Sequence, residues 1–272
     1  MANFGIIMEK VTKSQVKLIR SLQHKKFRDE SGLFVAEGEK CVSELQKAFE
    51  LVHLIVEGEN ASRTEIEQMS GLKTPQGVIG VFKKKSYSEA ILQSEGRSFS
   101  ANGLSGEAGL FLALDAIQDP GNLGTIIRTC DWFGVHDIFC SPDTADCYNP
   151  KVVQATMGAL ARVRIHYVDL PEWLAQQECA IYGTLLDGKN MYNVLQSEGR
   201  SCSETVLQRS NLAAQRSIIV MGNEGNGISP EVRKLITHPI RIPSYPEHAE
   251  TSESLNVSIA TAIVLAEFRR NA

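Results

Sequence analysis

Residues 217–229 read SIIVMGNEGNGIS, an apolar run that leads into a glycine-rich turn. An apolar run without alternation is typical of a strand buried on both faces of a parallel sheet. The turn has its glycines at 222, 225 and 227, an order that differs from the G-x-G-x-x-G of dinucleotide-binding turns. Glu224 stands inside the turn and would repel a phosphate. We therefore expect a ligand with hydroxyl groups or positive charge, unless the glycines serve only the geometry of the turn.

The region around this turn alternates regularly between short apolar runs and helical patterns. Further strand-like runs lie at 110–114, 135–140, 163–168, 179–186 and 239–242, and helical stretches lie at about 123–133, 150–160, 171–178, 229–237 and 254–270. This order predicts an α/β fold with a mostly parallel sheet covered by helices on both faces. Ligands of such sheets bind at the carboxyl ends of the strands, so the loops there are the candidate sites.

Two further loops carry side chains suited to a polar site. In residues 119–128, DPGNLGTIIR, Asn122 can cap the following helix and Arg128 lies beside its apolar stripe. An ordinary solvated arginine on a capped helix is the alternative. Residues 254–258, SLNVS, open a last helix that is apolar almost all round, which predicts burial or a subunit interface. Capping explains Ser254 readily and the asparagine poorly.

The first third of the chain predicts a separate, smaller α/β domain. Short strands at 33–36, 51–56 and 77–82 alternate with helices at 14–24 and 39–49. Between residues 87 and 108 the apolar content falls, and Ser, Gly, Asn and Glu dominate as they do in linkers. The predicted boundaries are 1–88 for the first domain, 89–107 for the linker and 108–272 for the second domain.

The composition is that of a globular protein, with 43% hydrophobic and 22% charged residues among 272, which excludes collagen-like and wholly disordered chains. A net charge of −4 argues against a nucleic-acid partner only if the charge is evenly spread. Residues 1–100 carry +2 and residues 101–272 carry −6. Residues 10–28 contain seven basic residues and no acidic one, and Lys83 to Lys85 form a second cluster. This distribution is compatible with a polyanionic partner, although a solvated face is the commoner meaning.

The six cysteines show no C-x-x-C pair and no histidine spacing that suits zinc, so we expect reduced thiols and no metal. The first residues lack the apolar stretch of a signal peptide, and no run approaches the ~20 apolar residues of a membrane span. The expected location is the cytoplasm, with no membrane partner.

Together these segments resemble the SpoU (TrmH-type) branch of the SPOUT RNA methyltransferases. The resemblance covers about residues 109–270 and lies in N-L-G-x-x-x-R at 122–128, G-N-E-G-x-G-I-S at 222–229, and Ile-Pro followed by S-L-N-V-S at 254–258. The first third resembles the substrate-binding domain of that family through FVAEG at 34–38 and TPQG at 74–77.

The resemblance implies a fold, a cofactor and a substrate. It implies a C-terminal deep trefoil knot, a small L30e-like N-terminal domain, a homodimer formed through the knotted domain, and S-adenosylmethionine as the cofactor. The reaction would be methylation of a ribose 2′-hydroxyl of RNA. A separate N-terminal domain favours rRNA over tRNA as the substrate, by analogy at the level of the fold.

The resemblance also assigns site residues. Those beside the reacting ribose would be Asn122, Arg128, Glu224, Ser254 and Asn256. Those in contact with the cofactor would be Thr184, Leu185, Gly222, Asn223, Gly227, Ile242, Leu255 and Ser258. The RNA contacts of the N-terminal domain would be Lys13, Lys17, Arg20, Lys25, Lys26 and Arg28.

In the resulting hypothesis Arg128, held by Glu224 and an RNA phosphate, orients or deprotonates the 2′-hydroxyl. Orientation explains this arginine at least as well, because a guanidinium hardly ever gives up its proton. The sequence departs from the family between Ile-Pro and Ser-Leu-Asn, where residues 244–253 contain neither the usual methionine nor a glycine. The contacts of that link therefore cannot be carried over.

Two other classes of protein are alternatives to a methyltransferase. An RNA-binding or ribosome-assembly factor could retain the knotted fold without the activity, and binding of the cofactor distinguishes it from the enzyme. A nicotinamide-dependent oxidoreductase is disfavoured by the order of the glycines and by the lack of an acidic residue about 20 positions beyond a matching turn.

Overall fold

The computed structural model describes residues 9–85, 109–200, 216–246 and 254–270. The helices are α1 (Lys13–Ser21), α2 (Lys25–Ser31), α3 (Glu39–Gln46), α4 (Arg63–Met69), α5 (Pro120–Trp132), α6 (Pro150–Thr156), α7 (Leu170–Ala175), α8 (Met191–Arg200), α9 (Pro230–Arg233) and α10 (Val257–Arg269). The strands are β1 (Leu33–Glu37), β2 (Leu51–Val56), β3 (Val78–Lys83), β4 (Leu110–Leu114), β5 (Asp137–Cys140), β6 (Arg164–Tyr167), β7 (Ala180–Asn190), β8 (Ser217–Met221) and β9 (His238–Arg241).

Six strands form one sheet in the order β6-β5-β4-β8-β7-β9. Each of its strand pairs is parallel, as the apolar runs predicted. All five residues of β8 are buried, because β8 lies inside a sheet that is covered on both faces. Leu114 of β4 is paired with Met221 of β8. The loops that follow these two strands therefore leave the sheet side by side.

β7 extends further than the sequence indicated. The apolar run predicted a strand at 179–186, whereas β7 continues to Asn190 and pairs with β9 in two registers. The register shifts between Thr184 and Lys189, so the residues between them bulge from the ladder. Gly188 permits a close approach there, since a Cβ atom would lie 2.5 Å from the backbone carbonyl of Ile240. Residues 187–190 of β7 are polar or glycine. The search for apolar runs therefore did not predict this end of the strand.

An aromatic stack lies in the core of this sheet and adjoins a buried carboxylate. The ring of Phe139 stacks with those of His166 and Trp173, at centroid distances of 4.7 Å and 3.8 Å. The carboxylate of Asp137 bonds with Nε2 of His166 at 2.8 Å and accepts from Nε of Arg164 at 2.6 Å. Burial by itself raises the pKa of Asp137, but the hydrogen bonds from Arg164 and His166 outweigh burial and lower the pKa to about 2.

The N-terminal region contains a three-stranded antiparallel sheet in the order β1-β3-β2. Helices α1 and α4 contribute Ile19, Leu22 and Ile66 to the core beneath this sheet. Helices α2, α4 and α8 were not predicted from the sequence. Helices α2 and α4 have seven residues each, too few to show a helical period. A signal for α4 did exist, because Ser62 and Glu65 form a capping box.

The chain folds into two compact units, and the first draws on two segments from later in the sequence. The first unit comprises Met1–Ser86, Leu123–Arg128 and Ala145–Arg162; the second comprises the rest. Within the first unit, the Tyr148 ring lies 4.7 Å from that of Phe34. α5 and α6 approach closely there, since a Cβ at Gly124 would lie 2.5 Å from that of Ala155. The predicted linker falls outside the described residues, so the domain boundaries stay predictions.

Arg28 does not belong to the predicted set of RNA contacts. Its side chain is 1% exposed, and its guanidinium donates to the Asp146 carboxylate through Nε and Nη2 at 3.1 and 2.7 Å. Nη1 donates to the carbonyls of Leu22 and Gln23 at 2.9 and 3.0 Å. A guanidinium is buried only with such partners, because its desolvation is costly. The expectation for Arg28 was therefore wrong. The other five residues of the set are exposed, and their contact with RNA stays a prediction.

The five cysteines in the described ranges, Cys41, Cys130, Cys140, Cys147 and Cys179, are free thiols, as expected; Cys202 lies outside those ranges. Burial raises the pKa of Cys41 to about 11, so this thiol stays protonated. Among the helices that the structure describes, none is long and apolar enough to cross a membrane.

The ion-paired carboxylate of Asp137 predicts a defined pH dependence of stability. Its folded-state pKa of about 2 lies below the ordinary aspartate pKa of 3.8, so its stabilisation is complete above about pH 5 and is lost as the pH falls toward 2. We expect Asp137→Asn to lower the free energy of unfolding by about 2 kcal/mol at pH 7. The difference from the wild type should shrink toward pH 3 in urea denaturation monitored by circular dichroism.

The matched control is Asp143→Asn, which removes an exposed aspartate from the loop after β5. This control should leave the unfolding free energy within about 0.5 kcal/mol of the wild type at both pH values. A constant difference between Asp137→Asn and the wild type from pH 7 to pH 3 would contradict the assigned pKa.

Candidate functional site

Helix α5 begins at the carboxyl edge of the parallel sheet. Its cap is Asp119, whose Oδ1 accepts a hydrogen bond from the backbone N–H of Asn122 at 2.8 Å. The sequence had indicated Asn122 as a cap. Because Asp119 takes this role, the side chain of Asn122 is available for other contacts. It donates through Nδ2 to Oε1 of Glu224, in the glycine-rich turn, at 2.5 Å.

Helix α10 begins beside α5, and its cap is Asn256. The Oδ1 atom of Asn256 accepts from the backbone N–H groups of Ser258 and Ile259, at 3.0 and 3.4 Å. Asn256 thus caps the helix, contrary to the prediction from the sequence. Its Nδ2 atom remains and donates to Oδ1 of Asn122 at 3.0 Å. We refer to Asn256, Asn122 and Glu224 as the polar triad.

The triad has a fixed direction, from Asn256 to Glu224. Backbone N–H groups can only donate, so the oxygen of the Asn256 amide must face the start of α10 and its nitrogen must point away. Asn122 then presents its oxygen to Asn256 and its nitrogen to Glu224. Glu224 and Asn256 are exposed and Asn122 is half-buried. An external ligand therefore meets two oriented amides and a carboxylate.

Asn223 closes the glycine-rich turn. Its Oδ1 atom accepts from the N–H groups of Gly225 and Asn226, at 2.9 and 3.1 Å. Its Nδ2 atom donates to the carbonyl of Ala116, in the loop after β4, at 2.7 Å. Both polar atoms of the side chain are thus used within the protein. A cofactor contact of Asn223 would have to come from its backbone or from the second N–H of its amide.

Asp115, the first residue after β4, holds both ends of the same turn. Its N–H donates to the carbonyl of Met221 at 2.9 Å, and its carboxylate accepts from the N–H of Ser229 at 2.7 Å. Asp115 is buried and was missed by the sequence analysis. Its position in the sequence could have indicated it, because a residue directly after a buried parallel strand lies at the ligand-binding edge of the sheet.

Ala116 follows with a backbone φ of 56°, a left-handed conformation that is uncommon for residues with a Cβ atom. Two hydrogen bonds hold it there. Its carbonyl accepts from Asn223, and its N–H donates to Oγ of Ser141 at 2.8 Å. Strained backbone of this kind persists only where the surrounding structure enforces it. The loop after β4 is therefore tied to the glycine-rich turn and to the end of β5.

Arg128 and Ser254 are exposed, and neither forms a hydrogen bond or an ion pair with any residue in the described parts of the chain. Arg128 lies on the face of α5 that carries Trp132, because four residues make about one helical turn. Glu224, which we expected to hold Arg128, has Asn122 as its partner.

The predicted cofactor residues differ in how far their side chains are exposed. Thr184 is half-buried, and its hydroxyl donates to the carbonyl of Val220 at 3.3 Å. Leu185 and Ile242 are also half-buried, whereas Leu255 is 50% exposed. The hydroxyl of Ser258 is buried and donates to Oδ1 of Asn256, the cap of α10, at 2.6 Å; its contact with the cofactor stays a prediction.

The glycines of the turn have different functions. Gly222 is needed for closure, since a Cβ atom there would lie 2.4 Å from the backbone of Gly227. Gly227 has a φ of 68°, and a Cβ atom there would meet open space. Within residues 9–85, 109–200, 216–246 and 254–270, no group of three or more His, Cys, Asp or Glu residues is placed to hold a metal ion.

Two family models match the chain. One, described as the SpoU rRNA Methylase family, matches residues 109–266, and the other, described as an MRM3-like substrate binding domain, matches residues 13–64. The first match contains the whole parallel sheet and the polar triad and spans more than half of the chain. The chain therefore belongs to the SpoU rRNA methylase family.

Individual relatives align with this chain over nearly its full length. The 23S rRNA (guanosine(2553)-2′-O)-methyltransferase RlmP of Bacillus subtilis is 27% identical over 266 residues, which cover 96% of this chain and 98% of that protein. The structure of a putative RNA methyltransferase of the TrmH family from Porphyromonas gingivalis is 33% identical, with a TM-score of 0.74 and coverage of 96% and 99%.

A further solved structure, the AdoMet-bound rRNA methyltransferase from Sinorhizobium meliloti, is 28% identical, with a TM-score of 0.75 and coverage of 97% of each chain. The structural neighbours of this kind carry the trefoil knot. The predicted fold class, an α/β protein with a mostly parallel sheet in the knotted SPOUT class, is confirmed.

The role of Asn223 can be tested by a change of one atom. Asn223→Asp keeps the oxygen that accepts from Gly225 and Asn226 but replaces the donor to Ala116 by an oxygen. We expect it to lower the free energy of unfolding by about 2 kcal/mol, since two acceptors would then face each other. Asn226→Asp adds the same charge at an exposed position of this turn and should change stability by less than about 0.5 kcal/mol. Equal stability of the two variants in urea denaturation would contradict this role.

Proposed function

We propose that this protein transfers a methyl group from S-adenosylmethionine to a ribose 2′-hydroxyl of rRNA. The observation that carries the proposal is the polar triad at the carboxyl edges of β4 and β8. It joins three segments that are distant in sequence and leaves their polar groups accessible. The named rRNA methyltransferases among the relatives support the substrate and the reaction.

The residues around the triad fit S-adenosylmethionine. The turn exposes backbone at Gly225 and Gly227, where a ligand can approach the chain closely. The carboxylate of Glu224 complements a positively charged sulfonium, as the sequence had indicated. Leu255 offers an exposed apolar side chain next to the triad. The backbone near Thr184 and Leu185 and after β9, at Ile242, would complete the site in this proposal.

The reaction needs the ribose hydroxyl to be placed in line with the methyl group. When bound, S-adenosylmethionine would supply an electrophilic methyl group for the ribose oxygen, with the sulfur as the leaving group and water as the acceptor of the hydroxyl proton. Orientation of the reactants can lower such a barrier by several kcal/mol. Both polar atoms of the Asn122 amide form hydrogen bonds. Its side chain therefore has a fixed orientation, and the ribose can be positioned against it.

Arg128 acts in this proposal by positioning rather than by removing a proton. Its guanidinium is exposed and offers five N–H donors and no acceptor, so it can hold an oxygen atom but has no lone pair that could take a proton. Its planar donors suit a non-bridging phosphate of the RNA. In this proposal Arg128 anchors a phosphate of the RNA, and the exposed Ser254 is a further contact of the ribose.

The same proposal assigns a role to each of the predicted domains. Residues 1–88 would capture RNA through Lys13, Lys17, Arg20, Lys25 and Lys26, residues 89–107 would link the domains, and residues 108–272 would carry out methyl transfer. The match of residues 13–64 to a substrate-binding domain supports this order. The proposed location is the cytoplasm, where bacterial rRNA is made and modified.

The second half of the chain also presents the surface that a homodimer requires. The sequence predicted that α10 is buried or lies at a subunit interface; Ile259 of this helix and Leu255, just before it, are 54% and 50% exposed. Trp132 of α5 is 86% exposed. The two helices lie together, since Nε of Arg269 donates to the carbonyl of Phe133 at 2.9 Å. We assign these exposed apolar side chains, at the start of α10 and the end of α5, to contact with a second copy of the chain.

Removal of the Arg128 guanidinium tests the proposed reaction. We expect Arg128→Ala to lower the rate of tritium transfer from methyl-labelled S-adenosylmethionine to rRNA at least about 100-fold, because phosphate anchoring is lost. The affinity for the cofactor should change by less than about threefold, and RNA is supplied above the dissociation constant of each variant so that the lost phosphate contact does not limit binding. Lys151→Ala removes an exposed cation from α6 and should leave the rate unchanged.

Transfer at the wild-type rate by Arg128→Ala would contradict its role. Isothermal titration calorimetry separates the enzyme from the competing class, an RNA-binding or assembly factor without activity. Absence of heat on titration of S-adenosylmethionine into the wild-type protein would favour that factor and contradict the proposed enzyme.

Ile259→Glu tests the homodimer. Residue 259 is the third residue of α10, where a glutamate is favourable for the helix, so the fold should be retained. We expect the dimer dissociation constant in analytical ultracentrifugation to rise at least tenfold, because a charge would be buried in an apolar contact. Met157→Glu places the same charge at another exposed apolar residue and should leave the dimer intact. Equal dissociation constants for both variants would exclude α10 as the interface.

A further inference from the structure

The first helix presents a row of basic side chains to solvent. Lys13, Lys17 and Arg20 follow one another at intervals of four and three residues, on one face of α1, and all are exposed. The opposite side of α1 contributes Ile19 to the core. None of the three basic residues forms a salt bridge with any residue of the described ranges. Their charge is therefore available to an external anion.

The second basic cluster of the sequence differs in this respect. Lys83 pairs with Glu50 and Lys84 pairs with Asp29, each at 2.6 Å. The Nζ atom of Lys85 lies 5.1 Å from the centre of the Phe49 ring. The two clusters therefore differ in their partners. The lysines of the second cluster contact acidic or aromatic side chains of the protein, whereas the basic side chains of α1 form no salt bridge with the described residues.

Two rings follow the row on α1, at the junction with α2. Phe27 is 42% exposed, and its ring centroid lies 6.4 Å from that of His24, at an interplanar angle of 67°. Lys25, between them in sequence, is also exposed. An exposed apolar ring on a positively charged surface offers a flat face to a second ring.

The buried side chain of Arg28 holds this junction rigid. It donates to the carbonyls of Leu22 and Gln23, at the end of α1, while it starts from the middle of α2. Its contact with Asp146 fixes the guanidinium from the other side. The positions of His24 and Phe27 are thus set before any ligand binds, so binding to them loses little conformational entropy.

We propose that His24 and Phe27 form a stacking site for an unpaired nucleotide of the substrate RNA, whose backbone follows Lys13, Lys17 and Arg20. The inference rests on the proposed function and names the part of the RNA that this surface takes. An unpaired base can turn its face to a protein ring, whereas the bases of a duplex are stacked on one another. A duplex contacted only through its phosphates would need the basic row but no exposed ring.

The test uses the full chain and one oligoribonucleotide of 12 residues with 2-aminopurine near its centre, either single-stranded or annealed to its complement. We expect the single strand to bind at least about five times more tightly than the duplex, with quenched 2-aminopurine emission. Phe27→Ala should weaken single-strand binding about tenfold or more, because stacking of one base is lost, and should abolish the quenching.

Two matched substitutions identify the ring as the cause. Phe27→Tyr keeps an aromatic face and should bind within about threefold of the wild type. Phe27→Leu keeps an apolar side chain without the ring and should behave as Phe27→Ala does. Equal binding by the tyrosine and leucine variants would overturn stacking, and so would equal affinity of the wild type for duplex and single strand.

The salt dependence separates stacking from charge. Phe27→Ala should leave the slope of log K against log salt unchanged, whereas Lys17→Ala should reduce its magnitude by about 1, since one phosphate contact is lost. A changed slope in Phe27→Ala would contradict a stacking role. Methyl transfer to rRNA is measured in parallel. Normal transfer with an unaltered KM in Phe27→Ala would overturn this inference alone, whereas stacking without any transfer by the wild type would overturn the proposed function alone.

Discussion

Asp115 makes the contact on which the site depends. It leaves β4 with its N–H bonded to the last residue of β8 and its carboxylate bonded to the N–H of Ser229, beyond the glycine-rich turn. The beginning and the end of that turn are thereby fixed to the neighbouring strand. Only with the turn in this place does Glu224 reach Asn122, and only then can Asn256 complete the triad. A buried carboxylate with backbone donors is stable because its desolvation is compensated.

The charges of the N-terminal region show why burial has to be known before function is assigned. Residues 10–28 contain seven basic residues, and from sequence alone they form one positive segment. In the structure Arg28 is buried with Asp146 and two carbonyls, whereas Lys17 and Arg20 are exposed. The buried cation supports the shape of the surface, and the exposed cations give it its charge.

Much of the fold could be predicted from periodicity. The strands β4 and β8 were predicted with the bounds that the structure gives them, because a strand covered on both faces must be apolar throughout. α2, α4 and α8 were not predicted. The first two are short, and their stability comes from contacts outside their own sequence, such as those of Arg28. The second half of β7 was missed because its pairing depends on a close approach at Gly188 and not on apolar side chains.

The sequence by itself determined the fold class, the family and the three loops that contain the triad, because apolar period and glycine position are properties of the chain. It could not decide which of several polar residues in those loops caps a helix and which faces a ligand. Asp119 and Asn122 are both suitable caps, and the choice of Asp119 leaves Asn122 to Glu224. That choice depends on which donors and acceptors of distant segments come within hydrogen-bonding distance. Such distances exist only in the folded protein, which is also why Asp115 and the burial of Arg28 became visible only there.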